Sequence, residues 1–137
     1  MADDDADDCL LVEEALRESG RPHQLRIVRD GEELLDYLCA RGAYADRRNA
    51  PLPDLILLDL KMPKKDGREA LKEIKSDPLL KCVPIVVLTT STDGEDIGFS
   101  YRMGANSYVT KPVTFRGLVE LMDLLIRYWL EWVERAS

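Results

Sequence analysis

Two unbroken apolar runs stand out along the chain, at 55–58 and 83–88, each too short for a typical helix. Runs of this kind predict strands buried on both faces, as in a parallel sheet covered by helices. Around them the apolar residues follow helical spacing. Leu10, Leu11, Ala15 and Leu16 predict a helix over about 8–19, stopped at Ser19-Gly20. Leu25 and Ile27 alternate beside Val28 and predict a short strand over 24–29. Asp30 with Glu33 forms a capping-box variant that opens a helix to about Ala40, burying Leu34, Leu35 and Leu38. A polar connector, 41–52, is long for its place and reads as a surface insertion. A helix over about 68–75 uses Ala70, Leu71 and Ile74 and ends at Asp77-Pro78. After the second apolar run come a short helix over about 94–103, a last strand over 107–110 and a long helix over 114–134. Strands alternating with helices in this way predict an α/β fold with a single open parallel sheet and right-handed crossovers.

The strand ends carry the chemistry. Asp59 closes the first run, Thr89 the second, and Lys111 follows the last strand, with Asp66-Gly67 in the turn after Asp59. In open α/β sheets ligands bind at the carboxyl ends of the strands, so an acid, a hydroxyl and an amine converge on one crevice. A carboxylate there is able to attack phosphorus and form an acyl phosphate. An ammonium and a divalent cation would offset the charge of the arriving group, and a hydroxyl would bond one of its oxygens. Asp3 and Asp4 offer further oxygen ligands for magnesium. The plainer account of Asp59 is a strand-end turn residue. With 26 acids in 137 residues, Asp59 by itself carries little weight, and its companions carry the argument.

Composition narrows the function classes. A formal net charge of −7 argues against a nucleic-acid surface, because that affinity comes from neutralising phosphates. Three scattered cysteines and a single histidine, His23, form no zinc set or disulfide framework, and reduced thiols are the simplest account. No run is apolar and long enough to span a membrane, and no signal peptide is present. These features together point to a soluble cytoplasmic protein.

The segment Asp59-Leu-Lys-Met-Pro63-Lys-Lys-Asp66-Gly67 resembles the phosphoacceptor turn of response-regulator receiver domains in two-component systems. The steps from Asp59 to Thr89, 30 residues, and from Thr89 to Lys111, 22 residues, match that family as well. The resemblance spans the whole chain, 1–137, as a single receiver domain without an output domain. It implies a flavodoxin-like sheet of five parallel strands in the order 2-1-3-4-5. It also implies that Asp59 accepts a phosphoryl group and that Mg2+ or Mn2+ is held by Asp3, Asp4, Asp59 and the Lys61 carbonyl. Thr89 and Tyr108 would form the switch pair, with Thr90 beside them. Lys111 would contact the phosphate, and the Lys111-Pro112 bond would be cis. The connector before the central strand and the Leu-Thr-Thr-Ser run are similar to small stand-alone receivers that serve phytochrome-type sensor histidine kinases. On this reading the protein is a signalling switch, not an enzyme beyond self-phosphorylation and autodephosphorylation.

Two features depart from a plain receiver. Only Met1-Ala2 precede Asp3, so the first strand is expected to be truncated, with the chain starting short of a natural upstream strand. The acids at 1–8 then read either as a frayed terminus or as part of the site. In the last helix, polar residues Arg116, Glu120, Asp123, Arg127, Glu131 and Glu134 draw one narrow stripe, leaving more apolar surface than one sheet face needs. The surplus, Tyr128, Trp129, Trp132 and Val133, is expected to meet a second copy, a homodimer through the last strand and helix, or the kinase; otherwise the helix end folds back on its own domain. Two other functions compete. A phosphohydrolase of the Asp-x-Asp type is disfavoured because the chain has Asp59-Leu60-Lys61, without the second acid. A phosphorylation-independent interaction module on the same fold is the alternative that the short amino terminus keeps open.

Overall fold

The computed structural model describes residues 1–134. Helix α1 spans Ala6–Ser19, α2 Gly31–Cys39, α3 Gly67–Ser76, α4 Gly94–Arg102 and α5 Phe115–Ile126. Strands β1 (Ile56–Leu58), β2 (Ile85–Thr89) and β3 (Ser107–Thr110) lie in the order β1-β2-β3, all parallel. The architecture is therefore a parallel sheet flanked by helices. Alternation along the strands divides the core in two, because successive side chains point to opposite faces. Ile56, Leu58, Ile85 and Val87 pack with Leu34 and Leu38 of α2 and Leu71 and Ile74 of α3. Leu57, Val86 and Leu88 pack with Val12 and Leu16 of α1 and Leu118 and Met122 of α5.

Of the two further strands expected, each is present as an isolated bridge. Ala2 pairs in parallel with both Val28 and Leu58. Ala2 N–H donates to Leu57 O at 2.8 Å and Asp3 N–H to Val28 O at 3.0 Å. Asp59 N–H in turn donates to Ala2 O at 3.0 Å. Ala2 thus sits in the sheet beside β1 and sets Asp3 level with Asp59. Behind Met1 a cavity of about 730 Å³ opens between the 22–28 and 53–57 segments, lined by Leu16, Leu25, Val28, Ile56, Leu57 and Ile126 among others. The Met1 ammonium caps it, donating to Arg26 O at 2.8 Å, and burial lowers its pKa to about 6.

Several expectations need correction. The 24–29 segment forms a bridge only at Val28, to Ala2, with Met1 bonded alongside through Val28 N–H and Arg26 O. The acidic terminus is ordered. Asp5 caps α1, its carboxylate accepting from Asp7 and Asp8 N–H, so the helix starts two residues earlier than its apolar pattern indicated. Its buried stripe is Cys9, Val12, Ala15 and Leu16, with Leu10 and Leu11 exposed. The Lys111-Pro112 bond is trans, the isomer an X–Pro bond favours intrinsically. Lys111 reaches the site in that form, with its N–H bonded to Thr89 O at 2.8 Å.

The last helix is not one α-helix. From Arg127 to Trp132 it widens into a π-turn closed by Val133 N–H donating to Tyr128 O, a five-residue step. Arg21 braces this segment, bonding Asp123 at 2.6 Å and Glu131 at 2.8 Å. The widening turns Trp129 inward, half-buried against the α1–α5 core. Tyr128 and Trp132 are left exposed, and Val133 is half-buried. Among the described residues no helix is long and apolar enough to cross a membrane.

Candidate functional site

The site begins with a close approach of backbones. Gly67 opens α3 directly against the end of β1, where its N–H donates to Leu60 O at 2.9 Å and a side chain would overlap Asp59 O. Gly31 at the start of α2 meets Lys65 O in the same way, its N–H donating at 2.8 Å. Asp66 caps α3 through Glu69 N–H at 2.9 Å, and Lys64 takes the left-handed conformation that turns the loop back (φ 59°). The loop after Asp59 is thereby held from both sides, and the carboxylate stands at the strand end.

Asp59 is buried and fully engaged. Its Oδ1 accepts from Thr89 Oγ1 at 2.9 Å and from Lys61 N–H at 3.2 Å, while Oδ2 accepts from Lys111 Nζ at 2.9 Å. Lys111 Nζ also donates to Asp3 Oδ2 at 2.8 Å and to Asp8 Oδ2 at 2.6 Å. An ammonium has three N–H donors, and each has its own carboxylate. Burial works to lower the Lys111 pKa, but the bonds to Asp3, Asp8 and Asp59 outweigh it and raise the value. Asp3 is fully buried, and that burial raises its carboxyl pKa against the opposing pull of Lys111 and of Asp5 N–H.

The strand ends therefore bring together Asp3, Asp59, Thr89 and Lys111. Asp4 and Thr90 are exposed at the rim, as is the Lys61 side chain. Tyr108 lies one step out. Its hydroxyl donates to Ser91 O at 2.8 Å, and burial raises its pKa. Ser91 in turn donates to Asp96 at 2.7 Å, and Asp96 accepts from Arg68 at 3.2 Å, so the β2–α4 loop is tied to both α3 and β3.

Asp8 is the site residue that the sequence reading missed. The signal was present: Asp8 precedes Val12, Ala15 and Leu16 at helical spacing, which puts an acid in line with the buried stripe of α1.

Among the described residues no three carboxylate, thiol or imidazole groups already stand at metal-ligating geometry. The acids are spaced around an ammonium at 2.6–2.9 Å instead. Their chemistry still suits a hard divalent cation. The donors are oxygens only, they already surround one positive charge, and Asp4 and solvent lie at the open side.

Comparison with known proteins agrees with this geometry. The family model for the response regulator receiver domain matches residues 1–123. Response regulator Rcp1 of Synechocystis sp. is 44% identical over 97% of this chain and 88% of its own length. The crystal structure of the phosphorylated cyanobacterial phytochrome response regulator RcpA aligns with a TM-score of 0.90 at 46% identity, covering 99% of this chain and 95% of that one. The Mn(2+)-bound form of Rcp1 aligns with a TM-score of 0.87 at 43% identity, covering 99% and 96%. An acid held by a threonine and a lysine at consecutive strand ends, inside a match of this extent, places the chain in the response regulator receiver domain family.

Proposed function

We propose that Asp59 is the phosphoacceptor of a two-component switch and that a phytochrome-type sensor histidine kinase is the donor. The observation that carries this is the set of bonds on one carboxylate. Asp59 is flanked by a hydroxyl on Oδ1 and an ammonium on Oδ2, the two groups a phosphoryl group needs beside it. The relatives named for phytochrome support the donor class.

In the transfer, an Asp59 carboxylate oxygen attacks phosphorus while the P–N bond of the donor phosphohistidine breaks. The imidazole leaves with the bonding electrons. Asp3, Asp4, Asp59 and the Lys61 carbonyl would hold Mg2+ or Mn2+, which offsets the phosphoryl charge when bound. Lys111 supplies fixed positive charge from the other side. Thr89 exchanges its bond to Asp59 Oδ1 for one to a phosphoryl oxygen and draws the β2–α4 loop with it. Tyr108, bonded to Ser91 in that loop, loses its outer partner and turns inward. The face built by α4, β3 and α5 is the two-state element that the phosphoryl group biases.

The same reading takes the chain as one receiver unit in the five-stranded order 2-1-3-4-5, with Val28 and Ala2 standing for the first two strands. Hydrolysis of the acyl phosphate would be its only turnover. The exposed part of α5 and the π-turn would pair with a second copy.

Intact mass after incubation with acetyl phosphate and Mg2+ tests the assignment. Wild type should gain one phosphoryl group, whereas Asp59→Asn should gain none, and EDTA should abolish the gain. An equal gain in Asp59→Asn would remove Asp59 as acceptor. No gain in folded wild type would favour the phosphorylation-independent module.

A further inference from the structure

Lys111 shares its ammonium among three carboxylates, and only two of them have a task in the transfer. On the reading above, Asp59 takes the phosphoryl group and Asp3 would help hold the cation. The third, Asp8, makes the shortest of the three bonds, 2.6 Å against 2.8 and 2.9 Å. It comes from a rigid support. Asp8 sits in the first turn of α1, its N–H bonded to Asp5 Oδ1 at 3.1 Å, on a helix packed through Val12 and Leu16 onto Leu118 and Met122 of α5.

We propose that Asp8 is a positioning residue for Lys111, holding the ammonium on its phosphate-facing side both before and after Asp59 is loaded. The inference rests on Asp59 being the phosphoacceptor. Lysine has a flexible four-carbon stem and three donors. When the site fills, Asp3 and Asp59 turn to the cation and the phosphoryl group and release two of those donors. With the third donor fixed on Asp8, both freed N–H groups stay aimed at phosphoryl oxygens. Without Asp8 the ammonium has no fixed partner outside the reacting groups.

Asp8 also lies where any acid favours a helix through the macrodipole, so the test must separate anchoring from helix stabilisation. Asp7 provides the control, since it has the same charge in the same turn, is exposed and makes no contact with Lys111. Two readouts apply to wild type, Asp8→Ala, Asp8→Glu and Asp7→Asn, each first shown to be folded by its thermal transition. The first is the Lys111 Nζ proton signal in metal-free protein. It should be observable in wild type and Asp7→Asn, lost to solvent exchange in Asp8→Ala and recovered in Asp8→Glu. The second is affinity for beryllofluoride in the presence of Mg2+. A charge-assisted hydrogen bond has the strength to change it about tenfold, so Asp8→Ala should bind about tenfold more weakly while Asp7→Asn binds as wild type does. An unchanged Lys111 signal or unchanged affinity in Asp8→Ala overturns the proposal, as does an equal loss in Asp7→Asn. Wild type that binds no beryllofluoride would instead count against the phosphoacceptor reading, and the Lys111 signal in metal-free protein would still decide the anchor.

Discussion

Thr89 Oγ1 donates a 2.9 Å hydrogen bond to Asp59 Oδ1, with both residues buried at the ends of adjacent parallel strands. The bond joins the acceptor to the loop that leads into α4. Thr89→Ala should leave the acceptor and Lys111 in place, so phosphoryl uptake from acetyl phosphate persists while the Tyr108 response to it is lost. Tyr108 fluorescence or its ring NMR signals, read with and without beryllofluoride, check this. Thr89→Ser should restore the response. Removing the hydroxyl also takes a donor from a buried carboxylate, which costs about 1–3 kcal/mol.

Gly67 is required by space. A Cβ there would overlap Asp59 O and crowd Leu60 Cα, backbone atoms that cannot yield without moving the acceptor turn. Gly67→Ala should cost about 3 kcal/mol, at the upper end for an overpacked core, and should also slow phosphoryl uptake. Urea unfolding should show a lower midpoint with an unchanged slope.

Lys75 ties the end of α3 to the loops that lead into β2 and β3. Its Nζ donates to Lys81 O at 3.0 Å, Val83 O at 2.8 Å and Asn106 Oδ1 at 3.4 Å, and burial lowers its pKa. The folded pKa lies below the unfolded one, so between the two values the unfolded chain binds more protons and stability rises with pH. Lys111 has the opposite sign. Its pKa is raised by folding, so its contribution is complete below the ordinary lysine value, about 10.4, and is lost above it. As the pH rises toward the ordinary lysine value, about 10.4, wild type should therefore gain stability relative to Lys75→Met. Urea midpoints of the two proteins across that range check the sign.

The sequence reading succeeded where periodicity and chain order act together. Strands β1 and β2 are fully buried and apolar at every position before their polar ends, so both the strands and the carboxyl-end residues Asp59 and Thr89 were legible. It failed where one residue's partner decides the structure. Asp8 does not stand out from the other acids at 1–8 because its partner, Lys111, lies 103 residues away. Leu10 and Leu11 were assigned inward because adjacent apolar residues do not reveal which one the stripe will use. The π-turn after Ile126 was also hidden, since its brace comes from Arg21, 102 residues before Asp123.

That π-turn shapes the surface through which a second copy would bind. Leu124, Tyr128 and Trp132 follow one another at four-residue steps and are 59%, 55% and 75% exposed. The wider turn brings residues four apart back into line. Trp129, by contrast, packs inward with its ring edge-on to Tyr128 at 5.2 Å. A buried aromatic anchor at an interface commonly contributes 2 kcal/mol or more, a change of about 30-fold in affinity. Trp132→Ala should therefore weaken self-association by about 30-fold without shifting the thermal transition, because the side chain makes little contact with its own domain. Trp129→Ala should instead lower the thermal transition, since it empties part of the α1–α5 core. Sedimentation equilibrium on wild type and both variants separates the two effects. Wild type that stays monomeric at the highest concentration would assign the stripe to the kinase or another partner.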